Sequence, residues 1–292
     1  LPAMDVENSN VTGAIGYFWN NWASLQDNML LIVCGSATSW MISNVIDSKG
    51  GLHDRITVEM PVRPFTLHEV ENYLDSRQFL WDRQMIAQAY MVFGGIPYYL
   101  SLLDNTESFV QNVDRLFFSR ASQMRREFRR LFHTLYKKPE KYIEIVKELG
   151  KVEDQYWSHH INTPEINTWM GLAYERLCMA HISQIKQALR IDAISTLNYS
   201  WRSKYSEPAA QIDIIIERAD RIVNICEIKY SQDEYDLTKE EYYKICQRKN
   251  AFIRETALRH VPWLTMITTE GVKRGKYSEM IQSQVVLDDL FL

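Results

Sequence analysis

The stretch QIDIIIERADRIVNICEIKYS, residues 211–231, decides the fold. Two runs rich in β-branched residues flank the polar triplet Arg218-Ala219-Asp220, a pattern that predicts a β-hairpin turning there. Side chains alternate along a strand, so Glu227 and Lys229 of the second run share one face. With the turn centred near Ala219, Asp213 lies opposite Ile225 and diagonal to Glu227, roughly 7–8 Å away at the backbone. That face also carries Ile215, Val223 and Ile225 and would otherwise be apolar. Three ionisable groups on it are costly unless they coordinate or pair. The chemistry that uses two hard carboxylates and a lysine is metal-assisted phosphodiester hydrolysis. Asp213 and Glu227 would hold Mg²⁺ or Mn²⁺, and Lys229 would position or help activate the attacking water. The alternative is a surface hairpin in which Lys229 pairs with Glu227 or Asp213.

Working outward, residues 169–190 (WMGLAYERLCMAHISQIKQALR) predict a helix with apolar positions at Leu177, Cys178, Ile182, Ile185 and Leu189. Glu175 shares a face with Cys178 and Ile182, which aims it at the sheet. Strand-like runs cover 194–201, 211–217 and 222–230, followed by a helix near 239–258 and a last strand at LTMITT, residues 264–269. The helix near 239–258 carries Gln247, Arg248 and Lys249, candidates for phosphate contact or simple solvation. Residues 139–168, with Pro139, a charged stretch and Asn162-Thr163-Pro164, read as a boundary.

The N-terminal half also reads as α/β. Ile15, Phe18, Trp19 and Trp22 mark one helix face, and MLLIVCG (29–35) predicts a strand buried on both faces. A helix over 36–46, a turn at Gly50-Gly51 and a second strand at ITVEMPV (56–62) follow. Thr66 and Glu69 form a capping-box pattern opening a helix, and another helix over 82–93 stops at Gly94-Gly95. Pro97 suits the start of the next helical turn, and an amphipathic pattern with an arginine-rich side runs from 108 to 138.

Composition bounds the function. The 292 residues are 46% hydrophobic and 24% charged, with 11 Phe, 8 Trp and 16 Tyr, which supports a folded core and argues against disorder. The longest apolar run, Met29 to Cys34, is far short of the ~20 residues that span a bilayer, so no membrane partner is expected. A net charge of -4 argues against a bulk polycation coating nucleic acid, though not against a local basic surface. The four cysteines show no C-x-x-C pair and no secretory leader opens the chain, so a cytoplasmic location is expected. The start at Leu1, without Met, suggests a truncated product.

The D-x(13)-E-x-K spacing on consecutive strands, preceded by a helix bearing an acid, resembles the PD-(D/E)XK restriction-endonuclease-like superfamily, with Asp213, Glu227, Lys229 and Glu175 at the matching positions. The longer pattern LIVCGSATSWM, GGLHDR, PFTLHEVENYL, GGIPYYL and W-x-GLAYERLCMAHISQIKQAL resembles the archaeal-type ATP-binding ATPases, P-loop proteins of the AAA/STAND kind that carry such a domain at the C-terminus. That resemblance implies an α/β chain: a P-loop ATPase core remnant over 1–64, a helical lid and long helix over 65–138, a linker over 139–168 and a nuclease-like domain over 169–292. It implies nucleotide contacts from Ser36, Arg55 as an arginine finger, and Gly95 and Pro97 of a G-x-P turn. Its partners would be DNA and an oligomeric or partner ATPase, its cofactors Mg²⁺ or Mn²⁺ and, in the intact family, ATP. The chain departs from the family in two places. It has no G-x-x-x-x-G-K-[ST] phosphate loop or strand ending in Asp-Glu, and the winged helix expected after the lid is largely missing between YIEIVKELG and KVEDQYW. ATP hydrolysis is therefore expected of the intact family and not of this chain. The alternative function is a catalytically inactive, nucleotide-regulated switch or interaction protein with a vestigial nuclease fold.

Overall fold

The predicted hairpin forms the middle of a five-stranded mixed sheet. Strands β1 (Thr196–Arg202), β2 (Gln211–Arg218), β3 (Ile222–Lys229), β4 (Val261–Thr268) and β5 (Ser283–Val286) lie in the order β1-β2-β3-β4-β5. The first two pairings are antiparallel and the last two parallel. A computed structural model describes residues 9–35, 38–47, 55–119, 122, 124, 127, 154–205 and 210–292. The chain divides into two compact units, Leu1–Arg63 and Pro64–Leu292. Among the described residues no helix is long and apolar enough to cross a membrane.

The first unit contains helix α1 (Val11–Asn21), capped by the Asn10 side chain accepting from the Gly13 N–H, and helix α2 (Thr38–Met41), which continues as a π-turn over Ile42–Ile46. The two strands expected at 29–35 and 56–62 do not form. Leu30, Ile32, Val58, Met60 and Val62 are exposed, the last by 95%. A strand buried on both faces needs neighbours to take its backbone N–H and C=O groups, and no described residue of this unit supplies them.

The second unit opens with α3 (Leu67–Ser76), where Thr66 and Glu69 make the predicted reciprocal capping box. Helix α4 (Arg83–Phe93) ends at Gly94, whose φ of 65° is the left-handed conformation glycine takes readily. Next to it, a Cβ on Gly95 would lie 2.0 Å from the Phe65 carbonyl oxygen, so the two backbones meet only because residue 95 has no side chain. Pro97 occupies the first turn of α5 (Pro97–Ser101), as predicted. Of the expected long helix from 108, the described part is α6 (Phe109–Val113) running into a π-turn over Asp114–Phe118. Arg115 on it pairs with Glu107 at 2.7 Å, so that arginine is a structural cation.

Helix α7 (Tyr156–His160) starts where the buried Asp114 carboxylate accepts from the Trp157 and Ser158 N–H groups at 2.8 and 3.1 Å. The helix expected over 169–190 is two helices, α8 (Pro164–Ala180) and α9 (Ile182–Ala188), parted at His181. The break has a purpose in the packing, because the His181 Nε2 accepts from the Leu67 N–H at 2.9 Å and satisfies a donor left open at the start of α3. Helix α10 (Lys239–Thr256) crosses between the parallel strands β3 and β4.

One continuous core joins α3 to α9 with the first face of the sheet, through Leu67, Phe93, Tyr174, Leu177, Ile214 and Ile228. The other face meets α10 through Ile215, Val223, Ile225 and Phe252 at one end, and through Ile245, Leu264 and Met266 at the other. Beyond LTMITT the chain forms β5, a short edge strand the sequence reading omits, and a closing 3₁₀ turn over Leu287–Phe291. That turn returns to the first helices: Leu287, Leu290 and Phe291 join the core, and Arg83 lies 4.7 Å over the Phe291 ring.

Candidate functional site

The hairpin loop is Ala219-Asp220-Arg221, one residue beyond the expected triplet. The Arg221 N–H donates to the Arg218 carbonyl at 3.2 Å, and Arg221 takes a positive φ of 69°. A type I turn followed by a left-handed residue is a common three-residue hairpin closure, here with Arg in the place glycine favours. This turn moves the pairing. Ile215 rather than Asp213 lies opposite Ile225, and the β2–β3 ladder ends at Ile214↔Cys226. Asp213 and Glu227 are the next residue on each strand, just beyond the last pair of the ladder.

A second feature places Asp213. Between Tyr199↔Ile215 and Trp201↔Ile212, β2 takes three steps against two on β1, so β2 carries one extra residue, a β-bulge. The bulge explains why Ile212 and Ile215 both join the cluster with Phe252 although they are three positions apart, an odd offset that regular alternation would put on opposite faces. Asp213 sits inside it, half-buried, with Oδ1 accepting from the Gln211 side chain at 2.8 Å.

Glu227, with 12% of its side chain exposed, is held by two cations. Arg248 of α10 grips it with both prongs, Nη1 to Oε2 and Nη2 to Oε1, each at 3.0 Å. Lys229 Nζ lies 2.9 Å from Oε1, so the lysine–glutamate pairing weighed as an alternative does exist. It sits on a central strand, however, not on a surface hairpin.

Helix α8 brings the fourth expected group. It is anchored to the end of β4 by the buried Tyr174 hydroxyl donating to the Thr268 carbonyl at 3.0 Å. The next residue, Glu175, has its carboxyl pKa raised, first by burial and then by the negative charges of Asp213 and Glu227, while Lys229 opposes the rise. Glu175 therefore lies within electrostatic reach of Asp213, Glu227 and Lys229.

Two further groups of this site are absent from the sequence reading. The Tyr235 hydroxyl donates to Glu241, the third residue of α10, which also caps that helix with Thr238. Burial works to raise the Glu241 pKa, but hydrogen bonds from Tyr235 and Thr238, with Lys229 nearby, hold it below the usual carboxylate value. Burial and the bond to Glu241 push the Tyr235 hydroxyl up. The signal that finds Glu241 in the sequence is the T-x-x-E capping box at 238–241.

Among the described residues no three His, Cys, Asp or Glu side chains gather as a ready-made metal cage. The chain instead offers a cation two carboxylates from adjacent strands. Mg²⁺ and Mn²⁺ accept such a donor set, keeping water and substrate phosphate as their other ligands. The residues fit the group in kind, with Glu227 already bound to cations of the protein itself.

The nucleotide-contact residues fall elsewhere. Ser36 lies outside the described residues, and Arg55 is an exposed residue of the first unit. Gly95 and Pro97 belong to the second unit, where each has the packing role described above. No protein-family model, curated protein or solved structure matches the chain.

Proposed function

We propose that residues 169–292, within the second unit, are a PD-(D/E)XK-type nuclease domain that hydrolyses DNA phosphodiesters with a divalent metal, and that the chain is related to the archaeal-type ATP-binding ATPases. The observation that supports this reading is the Lys229–Glu227 contact on β3, with Asp213 on the adjacent strand β2 and with Glu175 of α8 feeling the charge of all three. Asp213 and Glu227 would hold Mg²⁺ or Mn²⁺, which supplies charge stabilisation on the phosphoryl oxygens when bound. Lys229, held at 2.9 Å from Glu227, donates hydrogen bonds that orient the attacking water. Glu175, its carboxyl pKa raised by burial and by the charges of Asp213 and Glu227, is the helix acid of this site.

The closed grip of Arg248 and Lys229 on Glu227 favours a second reading, in which the site is a structural ion-pair cluster of an inactive, nucleotide-regulated switch or interaction protein. Cleavage of plasmid and linear DNA by the purified chain separates the two. The nuclease reading expects products only with Mg²⁺ or Mn²⁺, and none from Asp213→Ala, Glu227→Ala or Lys229→Ala. Cleavage that persists in all three variants locates the activity elsewhere, and no cleavage by the wild type favours the switch.

A further inference from the structure

We infer that Arg248 is an internal stand-in for the metal, neutralising Glu227 until a divalent cation displaces it; this rests on the metal-site reading above. A carboxylate as enclosed as Glu227 is costly without counter-charge, and Lys229 and Arg248 supply it together. In the metal-free chain Arg248 does so by a two-pronged contact that takes both carboxylate oxygens. A divalent cation on Glu227 would sit where the guanidinium sits and would be repelled by it, so the two compete for one anion.

The geometry also says which cation yields. Lys229 lies two residues along the same strand and on the same face as Glu227, so the backbone holds it close. Arg248 reaches in from a different element, α10, on a long side chain that can swing away without moving β3, whereas the two cations are about equally exposed, at 28% and 30%. Release of Arg248 leaves Glu227 with Lys229 and with carboxylate oxygen free for a cation, on the strand adjacent to that of Asp213.

Calorimetric titration of Mn²⁺ into the full chain tests this without any activity measurement. Arg248→Met keeps the apolar stem and removes the competing charge, so it is expected to bind Mn²⁺ about tenfold tighter than wild type, the worth of one charge-assisted contact. Arg248→Lys loses one prong and is expected to fall between, while Asp213→Asn abolishes binding. Equal Mn²⁺ affinity in wild type, Arg248→Met and Arg248→Lys, with binding still lost in Asp213→Asn, overturns the stand-in role and leaves the metal site standing. No Mn²⁺ binding by wild type and Arg248→Met, or unchanged binding by Asp213→Asn, overturns the metal site itself. Should Arg248→Met fail to fold, Arg248→Lys decides alone: tighter binding than wild type supports the displacement and equal binding overturns it.

Discussion

His181 is neutral in the folded chain because both ring nitrogens are already committed. Nε2 accepts from the Leu67 N–H, so Nδ1 carries the proton and donates it to the Leu177 carbonyl at 2.9 Å. Burial holds its pKa below the ordinary value near 6.5, against a smaller opposing effect of the Leu177 carbonyl. The unfolded chain therefore takes up a proton first as the pH falls. This residue's contribution to stability is complete above about pH 6.5 and is lost as pH drops from there toward the folded-state pKa, by at most about 1.4 kcal/mol per pH unit. His181→Gln, which can still accept from Leu67 but does not titrate, is expected to flatten that slope. Urea unfolding of both proteins at pH 5 and pH 7 checks it, and equal slopes would remove His181 as the cause.

At the scale of the elements, α10 matters most to the candidate site because it carries both Arg248 and Glu241. Its start is fixed by the Thr238–Glu241 capping box, in which the Thr238 Oγ1 accepts from the Glu241 N–H at 3.3 Å. Thr238→Ala is expected to cost about 1 kcal/mol of unfolding free energy. It also loosens Glu241, which bonds Tyr235, so the tyrosine should titrate at lower pH in a spectrophotometric titration of the variant. A variant as stable as wild type with an unmoved tyrosine would deny the cap this role. Such caps are legible in sequence because donor and acceptor are three residues apart, and the same holds for the Thr66–Glu69 box and the central hairpin. The expected strands at 29–35 and 56–62 misled for the converse reason. Their apolar runs are local, but a strand exists only with a partner, and the described chain offers none. The one-residue displacement of the hairpin loop had no local signal either, since Arg221 fills a position where glycine would have announced it.

At the scale of the whole molecule, the 292 residues hold no G-x-x-x-x-G-K-[ST] motif, so this stretch by itself is expected not to turn over ATP. Ser36 and Arg55 cannot replace the backbone N–H cradle and lysine that bind the phosphates. A malachite-green assay of the purified chain should read at the no-enzyme background, and turnover abolished by Arg55→Ala would refute the expectation. The candidate site was legible only in part at this scale. Asp213, Glu227 and Lys229 stand out on one hairpin, whereas the grip of Arg248 on Glu227 depends on the crossover between β3 and β4, which brings positions 21 apart in sequence side by side. The bulge at Asp213 was likewise invisible, because it exists only as a mismatch between two strands.

The closing turn over Leu287–Phe291 has a consequence for how the second unit is made. Its side chains complete a core whose other wall, α3 and α4, is synthesised some two hundred residues earlier. While the ribosome works toward residue 291, Leu67, Leu74 and Phe93 lack part of their final cover, and the sheet lacks the edge strand that precedes the turn. Until that turn is in place the early helices are expected to pack less tightly than in the finished fold. Shortening the chain by a handful of residues at this end would strike the stability of helices at the opposite end of the unit.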